Sequence, residues 1–363
     1  MTSLALHELH QSLGANFTSL NGAEVVADYG AANAEHTALH DAVGILDFSF
    51  RSRLCLIGQD RVRFLHGQIT NDVKKLRAGE GCYATITTAK GRMQSDLNVF
   101  VLPDELLLDF EPGYTTTVAQ RLEKYIVADD VQVMDVAPLY GLLAVQGPAS
   151  DAAIRAIGLF PDLPANPLGS VKVADATLGE IYLMNHARLG SAGFDLFVPT
   201  EALAAVADKL VAAVKGAGGC PVGWNAFEIA RIEAGTPRFG ADMDETNLPQ
   251  ECGIEAGAVS YSKGCYIGQE VLNRIHSMGH VNRRLCGLRL ADDLNCLPVK
   301  GDKLFQGEKE IGYLTSAGYS PTLRANFALG YVQRALNISG TELKLRSSAG
   351  ETKVRIVATP FVK

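Results

Sequence analysis

No stretch of this sequence reaches ~18 uninterrupted apolar residues, so no transmembrane helix is expected. The opening residues, 1–14, carry His7, Glu8 and His10, lack a continuous apolar run and contain no arginine. That pattern fits neither a secretory signal nor a transit peptide. Basic residues are in deficit: 33 Lys and Arg stand against 40 Asp and Glu, for a net charge of −7. Broad binding to nucleic acid or to an anionic membrane wants a basic surface, so neither is expected as a partner. A local basic pocket for a small anion stays compatible with that balance. Cys-x-x-Cys pairs are absent, and no Cys/His cluster has zinc-like spacing, so no metal site is expected. The seven cysteines (Cys55, Cys82, Cys220, Cys252, Cys265, Cys286 and Cys296) are odd in number and scattered through 363 residues. Such a set reads as reduced thiols in a reducing compartment, here the cytoplasm. No internal repeat and no low-complexity tail is visible.

What is present is an ordinary globular composition, 47% hydrophobic and 20% charged, long enough for two or three domains. Leu4, Leu6, Leu9 and Leu13 are spaced for one helix face ending near Gly14. A second helix is expected over 31–44, then a buried strand over 44–49. Asp60 reads as the N-cap of a helix carrying Val62, Phe64, Leu65 and Ile69. Asn71, after it, reads either as a left-handed C-cap or as part of a ligand-pocket turn. Two β-rich runs, 82–88 and 93–102, join at Ala89-Lys90-Gly91-Arg92 as a hairpin with glycine in the turn. A strand over 106–110, a helix over 114–127 and a strand over 131–136 complete an antiparallel sheet with helical cover. A second such pattern runs over 139–219, with an amphipathic helix over 201–214. Another helix is expected over 221–235. From Arg283 the chain turns into alternating strands separated by Gly and Pro, the pattern of a small β-barrel.

The stretch with most chemical character is Ser262-Lys263-Gly264-Cys265-Tyr266-Ile267-Gly268-Gln269-Glu270. Its two glycines permit backbone angles and close approaches that a Cβ resists. Lys263, and the N-terminus of a following helix over 271–278, would each favour the Cys265 thiolate. The plainer reading is a tight turn with Cys265 as a small buried apolar residue.

Lys263-Gly264-Cys265-Tyr266-x-Gly268-Gln269-Glu270 resembles the signature of the YgfZ family, folate-binding proteins that support iron–sulfur enzymes. The wider chain, from about Leu6 to the C-terminus, resembles the aminomethyltransferase (T-protein) of the glycine cleavage system. The carriers of that resemblance are Leu39-His40-Asp41…Asp47-Phe48-Ser49, Gly67 to Val73, Arg231-Ile232-Glu233-Ala234-Gly235 and Gly312 to Val332. The N-terminal histidines, lacking carboxylate or thiolate partners at ligand spacing, read as surface or capping residues. The resemblance implies an α+β fold of three domains around a central folate pocket. The first domain would join 1–50 with 139–222, the second 51–138 with 223–282, and 283–363 would form the barrel.

A reduced folate needs a carboxylate for its pterin N–H groups, an aromatic slot for its ring and a cation for its glutamate tail. Glu233 or Asp96 would be the acceptor, Tyr83 the stacking ring, and Arg231 or Arg238 the cation. The resemblance adds Tyr266 and Gln269 as folate contacts, and Cys265, Lys263 and Asp96 as the reactive group. T-proteins carry two adjacent aspartates where this chain has Ser95-Asp96. They also carry a longer Tyr- and Glu-containing stretch where it has Arg188 to Asp195, and they lack the cysteine motif. These differences point to the YgfZ branch. The implied function is a tetrahydrofolate-binding protein assisting assembly or repair of iron–sulfur clusters, including those of tRNA-modifying enzymes, with cluster enzymes or assembly proteins as partners. A lone cysteine cannot hold a cluster, which usually takes about four ligands. The alternatives are a folate-dependent aminomethyltransferase or demethylase and a non-catalytic folate-binding scaffold.

Overall fold

A computed structural model describes residues 2–362. The chain divides into two compact units. One comprises the residues up to Ile86, Ser95–Phe227 and Ser262–Tyr266. The other comprises Thr87–Gln94, Glu228–Tyr261 and the chain from Ile267 onward.

The first unit contains two larger sheets and a hairpin of Asn16–Leu20 with Ala23–Asp28. One sheet has six strands in the order Ser170–Asp175, Gly179–Asn185, Gly193–Pro199, Tyr140–Gln146, Gly44–Asp47, Cys220–Pro221. Its fifth member comes from far upstream: Gly44 faces Gln146 and Asp47 faces Leu143, antiparallel. The helix Leu203–Gly216 covers this sheet with Leu203, Val206, Ala207, Leu210 and Val214, an i, i+3, i+4, i+7 stripe. The other sheet has the order Gly81–Thr87, Met93–Val101, Leu106–Phe110, Ser52–Ile57, Gln132–Asp135. The helices Arg61–Gln68 and Thr115–Glu123 supply Phe64, Leu65, Val118 and Leu122 to its core.

In the second unit six strands close a barrel, Arg283–Arg289, Ala325–Gln333, Lys309–Ser320, Lys303–Gln306, Glu342–Ser347 and Gly350–Val357. Five of these follow the alternation in the sequence. The sixth, Lys-Leu-Phe-Gln, is too short to show a period, yet it closes the ring by pairing with strands on both sides. The segment 228–261 belongs to this unit, whereas the sequence suggests grouping 223–282 with the second sheet. Polar contacts explain the difference. Arg283 Nε lies 3.3 Å from Glu251, and Asp242 accepts from both Thr315 and Ser316 of the barrel. The hairpin tip joins the same unit: Met93 N–H donates to Asn247 O, and a Cβ on Gly91, at φ +73°, would come within 3.2–3.3 Å of Leu272, Leu248 and Val271.

Three local expectations change. Asp60 caps no main-chain N–H of its helix with its side chain; its carboxylate accepts the Asp130 N–H and pairs with the Arg63 side chain. Asn71 is not left-handed, since among the described residues the non-glycine positions at positive φ are Asn21, Leu168 and Arg324. His10 is no surface group: it is buried, with Asp47 at 2.9 Å on Nε2 and the Tyr29 hydroxyl at 2.8 Å on Nδ1. Among the described residues no helix is long and apolar enough to cross a membrane.

Candidate functional site

The helix Arg61–Gln68 ends where its last carbonyls lose their intrahelical partners. Lys263 supplies a partner for one of them, His66 O, and for two carbonyls just beyond the helix. Its ammonium donates to His66 O at 2.6 Å, Ile69 O at 2.7 Å and Asn71 O at 2.8 Å, using all three N–H donors. It also lies 4.8 Å from the centre of the buried Tyr266 ring. A cation at a helix C-terminus is favourable both as a donor and against the helix dipole. Burial pushes Lys263 down to about 8, with Asp72 acting in the opposite sense, so it stays largely protonated at neutral pH.

This placement corrects the role expected of Lys263. Its ammonium is committed to main-chain carbonyls and is not reserved for the Cys265 thiol. The helix expected to assist that thiol begins at Gln269, four residues later, with Gly268 as its cap. Helix-dipole stabilisation falls off within the first turn, so the spacing gives Cys265 no capping position. Cys265 itself is exposed, as is Cys296; Cys55 and Cys252 are buried. The two glycines of the motif also differ. Gly268 sits at φ +92°, where a Cβ would come within 2.5 Å of Thr87 Oγ1 and 2.6 Å of Thr88 O. A Cβ on Gly264 would meet only His66 Nε2 at 3.7 Å, an ordinary contact. Gln269 is the first residue of the helix Gln269–Met278 and is half-buried.

The segment held by Lys263 runs directly against the strand Gly81–Thr87. Thr70 N–H donates to Thr85 O, Thr85 N–H donates to Thr70 Oγ1, and Asn71 Nδ2 donates to Tyr83 O at 2.8 Å. Tyr83 is thereby fixed at its main chain. Its hydroxyl donates to Asp96 Oδ2 at 2.8 Å. Both residues are half-buried. Burial pushes the Asp96 carboxyl up to about 6, the negative charge of Glu111 adds to that, and the Tyr83 hydroxyl and Arg51 pull in the other direction. Tyr83 and Asp96 are two expected site residues that the structure brings together.

Behind Asp96 stands a charged network absent from the sequence reading. Arg51 Nε donates to Asp109 at 2.8 Å and its Nη1 to Glu111 at 2.5 Å. Asp109 also accepts from Asn98 at 3.1 Å and from Arg188 at 3.2 Å. Arg188 in turn donates to Asp195 at 2.6 Å, and His186 Nδ1 lies 2.7 Å from the same carboxylate. Burial disfavours the charge on Asp109, but Arg51 and then Arg188 outweigh it and hold the carboxyl well below its ordinary range. A signal for this network was available. Asp109 is the lone charge in Leu106-Leu107-Leu108-Asp109-Phe110, a strand buried at all five positions. A buried charge requires partners.

Glu233, Arg231 and Arg238 lie in the other unit. Glu233 is fully buried at the end of the helix Trp224–Glu233, where its carbonyl accepts the Phe361 N–H. Arg231, only 2% exposed, pairs with Asp242 and Glu228 and donates to Ser316 Oγ at 2.8 Å. Arg238 Nε pairs with Glu228 at 3.0 Å. Arg231 ties its helix to the barrel through Ser316, and Arg238 ties the following segment back to Glu228 of that helix, a bracing geometry in place of the open ligand cation expected of them.

Comparison with known proteins agrees with this architecture. Residues 6–263 match the family model described as the GCVT N-terminal domain, and residues 283–363 match the glycine cleavage T-protein C-terminal barrel domain. A protein named aminomethyltransferase from Listeria monocytogenes is 27% identical over 359 residues, covering 99% of this chain and 97% of that protein. One of the same name from Symbiobacterium thermophilum is 28% identical over 369 residues, covering 99% and 96%. The crystal structure of glycine cleavage system aminomethyltransferase T from Bartonella henselae superimposes with a TM-score of 0.87, covering 99% of this chain and 98% of that one at 24% identity. That likeness establishes the fold.

Proposed function

Since the chain belongs to the glycine cleavage T-protein family, by the match of both of its domains, we propose that it is a folate-dependent one-carbon transfer protein of the aminomethyltransferase type, with Asp96 as its proton-handling group. The family's one-carbon acceptor is tetrahydrofolate. When bound, it supplies the nucleophilic ring nitrogen on which a one-carbon unit is received. The observation that carries the reading is the Tyr83–Asp96 pair. Tyr83 gives a half-buried ring for a flat heterocycle. Asp96 gives a carboxylate acceptor and, among the described residues, a hydrogen bond from Tyr83 as its side-chain contact. That donor set fits a pterin, whose edge carries N–H groups and whose face is aromatic.

In this reading Asp96 accepts and holds the proton released as the nucleophile reacts. A carboxyl near 6 is suited to that at neutral pH, ionised yet a better base than an ordinary aspartate. Tyr83 orients Asp96 through its hydroxyl. Lys263 keeps the 66–71 segment, and through it the Tyr83 main chain, in place. The test is formation of methylene-tetrahydrofolate from an aminomethyl-loaded carrier protein. Asp96→Asn is expected to lower turnover by ~10²-fold or more; equal turnover in the variant, or none in the native protein, removes the reading.

A second reading has one specific observation in its favour. The motif Lys263 to Glu270 resembles the YgfZ signature, and its cysteine is exposed. In this reading the protein binds folate and supports assembly or repair of iron–sulfur clusters, including those of tRNA-modifying enzymes, through a transient thiol contact at Cys265. Iron–sulfur enzyme activities in a deletion strain separate the two. Rescue by the native protein but not by Cys265→Ser supports cluster assistance; rescue by both variants removes it.

A further inference from the structure

Asp96 stands in a row of charge that crosses three strands. In the register of Met93–Val101 with Leu106–Phe110, Asn98 faces Asp109. Continued two residues, that register sets Asp96 beside Glu111. In the register of Ser52–Ile57 with Leu106–Phe110, Ser52 faces Phe110, and the next position sets Arg51 beside Glu111. The Arg51–Glu111 bond of 2.5 Å fixes this last step. Strand side chains repeat every two residues, so Asp96, Glu111 and Arg51 form one row, next to Asn98, Asp109 and Arg53 on the same face.

We propose that Glu111 is a positioning residue for Asp96: its carboxylate, anchored by Arg51, decides how strongly Asp96 holds a proton. This rests on the proposed function only in giving Asp96 a substrate. The charge count around the row supports it. The Arg51 guanidinium spends Nε on Asp109 and Nη1 on Glu111. Arg188 is shared between Asp109 and Asp195, and His186 also faces Asp195. From the strand Gly81–Thr87, Tyr83 offers Asp96 a neutral donor only. Among the described residues, Asp96 therefore meets the charge of Glu111 with no cation bonded to its own side chain. Two neighbouring carboxylates oppose each other's ionisation, and the one without a cation yields. The opposing charge makes the Asp96 carboxylate a stronger base while Tyr83 keeps its orientation.

The test is a titration of the Asp96 carboxyl carbon by NMR in the full chain, native and Glu111→Gln. The midpoint in the native protein is expected near pH 6. Glu111→Gln is expected to lower it by about one pH unit, and Glu111→Asp, which keeps the charge, to restore most of that difference. An unchanged midpoint in Glu111→Gln overturns the proposal. Should Glu111→Gln fail to fold, the native protein still decides: the Glu111 carbon is expected to shift at the pH where Asp96 titrates, and a flat trace there overturns the coupling. Because the titration needs no turnover, a shifted midpoint in a protein inactive in transfer leaves this inference standing and removes the proposed function. Transfer whose pH profile ignores Glu111→Gln does the reverse.

Discussion

Replacing Lys263 with methionine tests the central correction to the cysteine motif. The substitution keeps an unbranched side chain of similar length and removes the ammonium. Three carbonyls, His66 O, Ile69 O and Asn71 O, then lose their donor inside the protein. Bonds from a charged donor contribute ~1.5–3 kcal/mol each. Desolvating the ammonium, which pulls it from 10.5 to about 8, takes back about 3 kcal/mol at ~1.4 kcal/mol per unit. The expected net loss is ~1.5–6 kcal/mol, large beside a total stability of ~5–15 kcal/mol. Urea unfolding at pH 7 reads this as a lower midpoint at unchanged slope. Amide exchange should rise over residues 66–73, because the clamp holds that segment against the strand Gly81–Thr87. Alkylation of Cys265 in the folded variant should stay within about twofold of native, since tenfold in a rate takes ~1.4 kcal/mol and Lys263 spends its donors elsewhere. A loss under ~0.5 kcal/mol, the usual scatter of surface substitutions, would refute the clamp. A tenfold slower thiol would restore the thiol-tuning role expected from sequence.

The other predictions concern the raised carboxyl, the thiols and the cap. One-carbon transfer should rise with pH through about 6 as Asp96 ionises; Tyr83→Phe removes a bond that favours the carboxylate and should move this limb to higher pH, read from the kcat profile. The same raised carboxyl acts against stability, since the folded state takes up a proton more readily than the unfolded chain; this contribution should cost stability as pH rises from about 4 to 6, and Asp96→Asn should flatten that slope in urea midpoints. With iodoacetamide near neutral pH, Cys265 and Cys296 should react in the folded protein, while Cys82, Cys252 and Cys286, each pushed up to about 12 by burial, should wait for unfolding; mass spectrometry of the labelled peptides checks this. Gly268→Ala places a Cβ against Thr87 and Thr88 at positive φ and should destabilise by ~1–3 kcal/mol, whereas Gly264→Ala should lie within ~0.5 kcal/mol; matching effects at both would refute the distinction.

Local pattern in the sequence determined much of this protein. Hydrophobic period and turn residues suffice for the α+β strands, the amphipathic helix Leu203–Gly216, the glycine at the hairpin tip and five of the six barrel strands, because each is dictated by neighbours within a few positions. The motif from Lys263 to Glu270, and Asp96 and Tyr83 as individual candidates, are equally visible in the chain. Tertiary structure decided what each polar group faces. Lys263 turns to carbonyls of residues nearly two hundred positions earlier, and Arg231 and Arg238 become braces. The row Asp96–Glu111–Arg51 exists only once three strands are in register. A long side chain reaches several ångströms in directions its own sequence does not restrict. Its charge stabilises or perturbs whatever the fold sets within that reach. Local periodicity therefore names the elements, while strand register and helix ends assign the charges their partners.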